Sequence, residues 1–355
     1  MLTIFDECAG FQDWQFRLTR AMREGIEGVY SKRPDEVEAF RSMIAATSAC
    51  SAPALPPAFP FAVTCEAAEL HGQLSQVKFK VGTSPYQREL ADLLLLTSYV
   101  DSGRLSWQRA CFVQAKRESK GRFDVDEWQL ALLRAFPEFQ GVSGVFKGQS
   151  LQLRSKSGML GAYGLLSAPG KLSLLGARLI DNALGGRKSV AAKDLASAYQ
   201  SSTGRPRAGW PARDWRLSRE CPRCGFPFAD ECPDCGFPFL HWRSRSRFLC
   251  SDFRVVPPPS VESCMALDSL VQCWTALELG EPWFADSRAA SDVALQSCVE
   301  SIVAYTHSKT GGLTQTLRLF PSRDQETRAT QQQTNENELP VRFVLSLVVS
   351  RAGTE

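Results

Sequence analysis

Two short runs of consecutive apolar residues, Leu93-Leu94-Leu95-Leu96 and Ala110-Cys111-Phe112-Val113, stand out from the mixed polar and apolar chain around them. Runs of this length, bounded by polar turn residues, predict strands covered on both faces. Asp101-Ser102-Gly103 lies between them, so the stretch reads as a strand, a turn and a strand. Next, Trp128, Leu132, Ala135, Phe136 and Phe139 recur at helical spacing and Pro137 falls near the end, which predicts a helix within residues 123–139. Upstream, residues 11–46 carry helical patterns and residues 51–60 form a Pro-rich connector. Residues 69–81 read as a hairpin or first strand, and residues 145–153 as a further strand after the helix. Residues 158–200 mix Gly, Leu and Lys without an assignable period, and 201–211 is a Gly, Pro and Arg linker. Towards the C-terminus the pattern predicts helices near 263–279 and 291–305 and a turn at Thr310-Gly311-Gly312. A polar, Gln-rich loop at 323–338 and a final strand over 341–349 follow.

Chemistry enters where the two buried strands carry polar residues. Asp92 opens the first, and Gln114-Ala115-Lys116 closes the second. Side chains alternate across a strand, so Gln114 and Lys116 share one face while Ala115 packs on the other. If the two strands pair, the Asp92 carboxylate comes beside the Gln114 amide oxygen and a main-chain carbonyl. Oxygen donors of this kind suit magnesium or manganese. A cation held there neutralises phosphate charge and lowers the pKa of a bound water, and Lys116 orients that water or offsets developing charge.

The arrangement resembles the PD-(D/E)xK superfamily of restriction-endonuclease-like proteins, and within it the Mrr-type members that carry a QxK triplet. The resemblance covers roughly residues 35–150. It implies a central mixed sheet flanked by helices and magnesium-dependent cleavage of nucleic acid, often in restriction or anti-phage defence. Carried over by position, Asp92, Gln114 and Lys116 are the core residues. The family commonly adds an acid from an upstream helix, for which Glu36 and Glu38 are candidates, Glu38 being preferred, with Glu66, Glu69 and Glu89 competing. A neutral amide holds a hard cation less tightly than a carboxylate does, so this further acid decides between cutting and mere binding.

A second motif is independent of the first. Cys221-Pro222-Arg223-Cys224-Gly225 recurs almost at once as Cys232-Pro233-Asp234-Cys235-Gly236. The doubled knuckle has the ligand spacing of a closed four-thiolate zinc site, whose role is structural; a disulfide pair or a redox CxxC is the competing reading. His241 is a substitute ligand at most, and a packing or surface role fits it better. Arg is dense around the knuckles, and Arg243, Arg245 and Arg247 alternate. On a strand they form one ladder suited to phosphate, with Trp210, Trp215 and Trp242 near it for stacking. An ordinary solvated face explains the same residues, and a zinc ribbon binds protein as readily as nucleic acid.

Composition narrows the classes. With 355 residues, 44% of them hydrophobic, the chain is long enough for two or three domains. The formal charge of +3 leaves nucleic-acid binding to local patches. No apolar span approaches about twenty residues and the first residues lack a basic, apolar leader, which predicts a cytoplasmic protein with no membrane contact. Of the twelve cysteines, the eight outside the knuckles, Cys111, Cys264, Cys273 and Cys298 among them, lack paired spacing and read as reduced core residues. No P-loop, dinucleotide-binding glycine pattern or Ser-His-Asp set is present.

The sequence therefore predicts an α/β (α+β) protein: a restriction-endonuclease-like mixed sheet, a small zinc ribbon and a C-terminal α/β region. The expected units are an N-terminal helical segment (1–50), the nuclease core (51–165), a connector (166–210), the zinc ribbon (211–255) and the C-terminal region (256–355). The expected function is that of a magnesium- or manganese-dependent endonuclease that prefers DNA to RNA, with structural zinc. Partners are a protein of a defence system or a second copy of the chain. The alternative is a non-cleaving nucleic-acid-binding or scaffold subunit docked through the zinc ribbon, and a purely structural adaptor is the third reading.

Overall fold

The computed structural model describes residues 8–32, 35–50, 52–56, 59–155, 160–167, 171–191, 194–195, 267, 270–271, 274–275, 277, 279–320 and 338–351. The four knuckle cysteines, Arg243, Arg245, Arg247 and residues 323–337 of the Gln-rich segment lie outside these residues.

Helices α1 (Ala9–Lys32) and α2 (Glu36–Ala49) come first. Asp35 starts α2 by accepting hydrogen bonds from the amides of Val37 and Glu38 at 2.8 and 3.2 Å, the capping a short acidic side chain is suited to. Strands β1 (Phe61–Glu69), β2 (Gln73–Leu74), β3 (Gln76–Val81) and β4 (Ser84–Glu89) follow. The predicted hairpin is β5 (Leu93–Asp101) and β6 (Arg104–Ser119), closed at Ser102 and Gly103, both of which have positive φ. A two-residue connection with that backbone matches the right-handed twist of its strands. After β7 (Arg122–Asp124), α3 (Glu127–Ala135) begins at Asp126, which accepts from the amides of Trp128 and Gln129, and ends where Phe136 turns left-handed ahead of Pro137. Of the strand expected over 145–153 only the short β9 (Ser150–Leu151) forms, and a 3-10 turn at Gly144–Phe146 separates it from β8 (Phe139–Gly141). The unassigned stretch contains β10 (Gly161–Ser167), β11 (Lys171–Gly176), α4 (Ala177–Leu184) and β12 (Ser189–Ala191). Last come β13 (Glu281–Phe284), α5 (Ala290–Thr310), α6 (Thr314–Arg318), β14 (Glu338–Leu339) and β15 (Phe343–Arg351).

Among the described residues the main sheet is mixed, with order β1-β15-β5-β6-β10-β11 along its path. The pairs β15–β5 and β6–β10 are parallel; β1–β15, β5–β6 and β10–β11 are antiparallel. The last strand of the chain thus occupies the middle of the sheet. The C-terminal residues 343–351 are part of the core built by residues 61–119, and not of a region set apart from it, because only an apolar strand can lie between β1 and β5 with both faces covered. Two apolar layers sandwich the sheet. Phe11, Trp14, Phe40 and Met43 from α1 and α2, with Leu267, Val271 and Trp274, pack on the side of Leu93, Leu95, Val113 and Phe343. Leu132, Leu133 and Phe136, α4 and α5 cover the other side, against Leu94, Phe112, Tyr163 and Val344. A smaller sheet, β4-β3-β8-β9, flanks that second layer.

The cysteines within the described residues, Cys8, Cys50, Cys65, Cys111 and Cys298, are all free, and Cys8, Cys111 and Cys298 are buried. Burial holds the Cys111 and Cys298 thiols well above their ordinary range, so both are inert packing groups. Among the described residues no helix is long and apolar enough to cross a membrane.

Candidate functional site

Asp92 sits one residue ahead of β5, while Gln114 and Lys116 lie in the final third of β6. Leu93 is level with Val113 on β6 and with Phe343 on β15. One step earlier, Asp92 is therefore level with Gln114 on one side and with Arg342 on the other. Gln114 is level with Tyr163 on β10. Residues at one level of adjacent strands project from the same face. Arg342, Asp92, Gln114 and Tyr163 thus form a polar row across four neighbouring strands, on the face that α3 and α5 cover, with half-buried Lys116 two residues beyond Gln114.

Asp92 is fixed from several directions. Its amide donates to the Val113 carbonyl at 3.1 Å, and its own carbonyl accepts from the amides of Arg342 and Phe343, both at 2.9 Å. Carboxylate Oδ2 accepts from the Ala115 amide at 2.8 Å and from Gln114 Nε2. The residue is 7% exposed. Burial pushes its carboxyl up to about 6; the Ala115 amide, Arg342 and Lys116 oppose that rise, and the charge of Glu89 adds to it. Glu89, at the end of β4, is itself raised by burial and drawn back by Arg342 and Lys116. Two acids and two cations therefore share this end of the sheet.

Several polar atoms here lack partners among the described residues: Gln114 Oε1, the Tyr163 hydroxyl and Arg342 Nε are buried and make no hydrogen bond to them. A buried polar atom left unpaired costs on the order of 1–3 kcal/mol, so folded proteins tolerate few of them. Their coincidence on one row fits a site whose bonds are completed by a ligand. The Gln114 amide presents its NH2 rather than its oxygen to Asp92, the orientation a bare carboxylate favours; a flip of the amide interchanges the two ends. Asp92, Gln114 Oε1 and a main-chain carbonyl are oxygen donors that fit magnesium or manganese. The buried, poorly compensated Asp92 charge is what such a cation would relieve. Among the described residues there is no cluster of three or more His, Cys, Asp or Glu suited to a metal, so a cation at this site relies on the amide and carbonyl oxygens.

The upstream helix does not supply the acid that acts on Asp92. Helix α2 packs through Ala39, Phe40, Met43 and Ile44 on the face opposite the row. Glu38 is bonded by Arg41, whose Nε also donates to Glu69 at 2.6 Å. Glu66 accepts from the amides of Gln315 and Thr316 at 2.9 and 2.8 Å. The acid whose charge reaches Asp92 is Glu89, a competing candidate in the sequence. Arg342 carried no local signal: it precedes an apolar run some 250 positions away, and only the strand order brings it alongside. No family model, curated protein or solved structure matches this chain.

Proposed function

We propose that this protein is a metal-dependent nuclease of restriction-endonuclease-like fold that hydrolyses phosphodiester bonds, with DNA the favoured substrate. The observation that carries the reading is the register that sets Asp92 level with Gln114, with Lys116 further along the same face and Gln114 Oε1 buried without a partner among the described residues. The succession β5, β6, α3 and β10, interrupted by the short β7, β8 and β9, with β10 parallel to β6, supports the fold assignment.

A divalent cation, when bound, supplies neutralisation of phosphate charge and a water of lowered pKa. Asp92 and Gln114 would hold it, and Glu89, whose charge reaches Asp92, would complete its oxygen shell. Lys116, free of any ion pair among the described residues, directs its ammonium to the attacking water or to the charge that develops on the phosphoryl oxygens. In the reaction the water oxygen bonds to phosphorus as the bond to the leaving sugar oxygen breaks. The water's proton goes to solvent or a neighbouring base, and the leaving oxygen is protonated. Zinc at Cys221, Cys224, Cys232 and Cys235 is proposed from spacing alone, as a structural site apart from this chemistry, and Arg243, Arg245 and Arg247 are proposed phosphate contacts on the same footing.

A second reading has an observation of its own. Gln114 is neutral, and among the described residues no third acid joins Asp92 and Glu89 in a metal-binding cluster. A subunit of a defence complex that binds nucleic acid without cutting it, docked through the zinc ribbon, is consistent with that deficit.

The two are separated by incubating the purified protein with plasmid, linear duplex, single-stranded DNA and RNA in magnesium, manganese or EDTA. Metal-dependent cutting that falls about 100-fold or more in both Lys116→Ala and Asp92→Ala is expected. Binding with no cutting by any of the three proteins moves the function to the non-cleaving subunit. Metal analysis of the same preparation reads whether zinc is bound.

A further inference from the structure

The C-terminal strand brings a second cation to the site, level with Asp92, beside the Lys116 that β6 supplies further along. Arg342 immediately precedes β15, and its main chain is committed: its amide donates to the Asp92 carbonyl at 2.9 Å, and its carbonyl accepts from the Leu70 amide at 2.9 Å. The backbone is thereby fixed between β1 and β5, level with Asp92 and on the same face. Among the described residues the side chain is not committed: Nε is buried without a hydrogen bond, and the guanidinium forms no ion pair. Its charge is nevertheless felt by both Asp92 and Glu89. A guanidinium presents its donors in a rigid planar fork and keeps its charge at all accessible pH. Close to two carboxylates, an uncommitted one would be expected to pair with them. Held near both and bonded to neither, it is set up for a group that is not part of the fold.

We propose that Arg342 is the phosphate-binding residue of this site, its guanidinium gripping non-bridging oxygens of the nucleic-acid backbone beside the Asp92–Gln114 pair. The proposal rests on the nuclease reading of the row and adds to it an anion contact delivered by the last strand. The planar fork matches two oxygens of one phosphate, which a lysine in the same place cannot do. Lys116 and Arg342 then lie to either side of the acids, one serving the water and the other fixing the phosphodiester. Binding does not require the cation, so it can be measured apart from cleavage.

The test uses the full-length chain in an Asp92→Asn background, which removes the carboxylate that would repel phosphate and blocks cutting. A short labelled DNA duplex is titrated in EDTA at several salt concentrations, with thermal melts of every variant. Adding Arg342→Gln is expected to weaken binding roughly tenfold to a hundredfold, the range for a lost charge-assisted contact. The salt slope should fall by about one. Arg342→Lys should weaken binding while leaving the slope unchanged, because the charge stays and the fork is lost. The main-chain bonds of residue 342 survive both changes, so folding should hold; if the Gln variant melts early, the Lys variant decides. Unchanged affinity and slope in a folded variant overturn the proposal, as does a parent that binds no duplex. Failure of the wild type to cut, with these binding effects intact, instead counts against the nuclease reading alone.

Discussion

At the scale of the residue, Asp92 is the costly one. Its carboxyl ionises near 3.9 in an unfolded chain and at about 6 in the fold, because burial disfavours the charge. Below about pH 4 both states hold the proton. Between about pH 4 and 6 the unfolded chain gives it up while the folded chain keeps it, so stability falls as pH rises through this window and levels off above it. The buried charge then costs on the order of 3 kcal/mol at neutral pH. Asn at this position can still accept from the Ala115 amide and carries no charge. Asp92→Asn is therefore expected to raise stability at pH 7 by about 2–3 kcal/mol and to flatten the slope between pH 4 and 6, as read from urea midpoints. A destabilised Asn variant would mean that the carboxylate holds the fold together and is not reserved for a ligand. Magnesium should raise the wild-type midpoint and leave that of Asp92→Asn where it is. Asp92, Gln114 and Lys116 were legible because each sits at the edge of an apolar run. Glu89 was one acid among several, and Arg342 had nothing local to mark it.

Among the elements, α3 and β10 determine how level the row lies. Gly161 opens β10 beneath α3, and a Cβ there would stand 2.1 Å from the Leu133 carbonyl oxygen, inside the helix backbone's own space. Glycine lets the helix seat Leu132 and Leu133 in the apolar layer above Tyr163. Gly161→Ala must lift α3 or push β10 out of register, at a cost of about 1–3 kcal/mol typical of overpacking. The expected result is a lower melting temperature together with weaker cleavage, since Tyr163 and Gln114 would shift with the strand. A melting temperature equal to wild type would show that the contact relaxes freely. This segment escaped the sequence reading for the same reason. Gly161 and Gly164 stand where strand side chains would mark a pattern, and Ala162, Tyr163, Leu165 and Leu166 are buried on both faces, so no alternation survives. The β5–β6 hairpin had the opposite character, with apolar runs on either side of a Ser-Gly turn.

For the whole molecule, the position of β15 has the largest consequence. It pairs with β1 and β5 over its full length, and Phe343, Val344, Leu345, Leu347 and Val349 are buried. Removing residues 341–355 would open two long edges in the middle of the sheet and expose both apolar layers at once. Such a truncated chain is expected to lose cooperative unfolding or to precipitate. A fragment limited to residues 51–165 should behave likewise, since it lacks β15 and the α1 and α2 cover. Soluble, cooperatively melting protein from either would show that the sheet closes without its last strand. Because Arg342 comes with that strand, the complete row forms only after the end of the chain has docked.

What the sequence determined by itself is local: the buried strand pair and its turn, the alternation that sets Gln114 and Lys116 on one face, and the paired spacing of the knuckle cysteines. Each depends on residues close together in the chain, where side-chain period and backbone geometry act directly. Strand order was decided only in the tertiary structure. An apolar strand such as β15 fits any sheet position covered on both faces, and its pattern is the same in each of them. The choice of neighbours came from the packing of both layers at once, and it brought Arg342 to Asp92 while leaving Glu38 across the sheet.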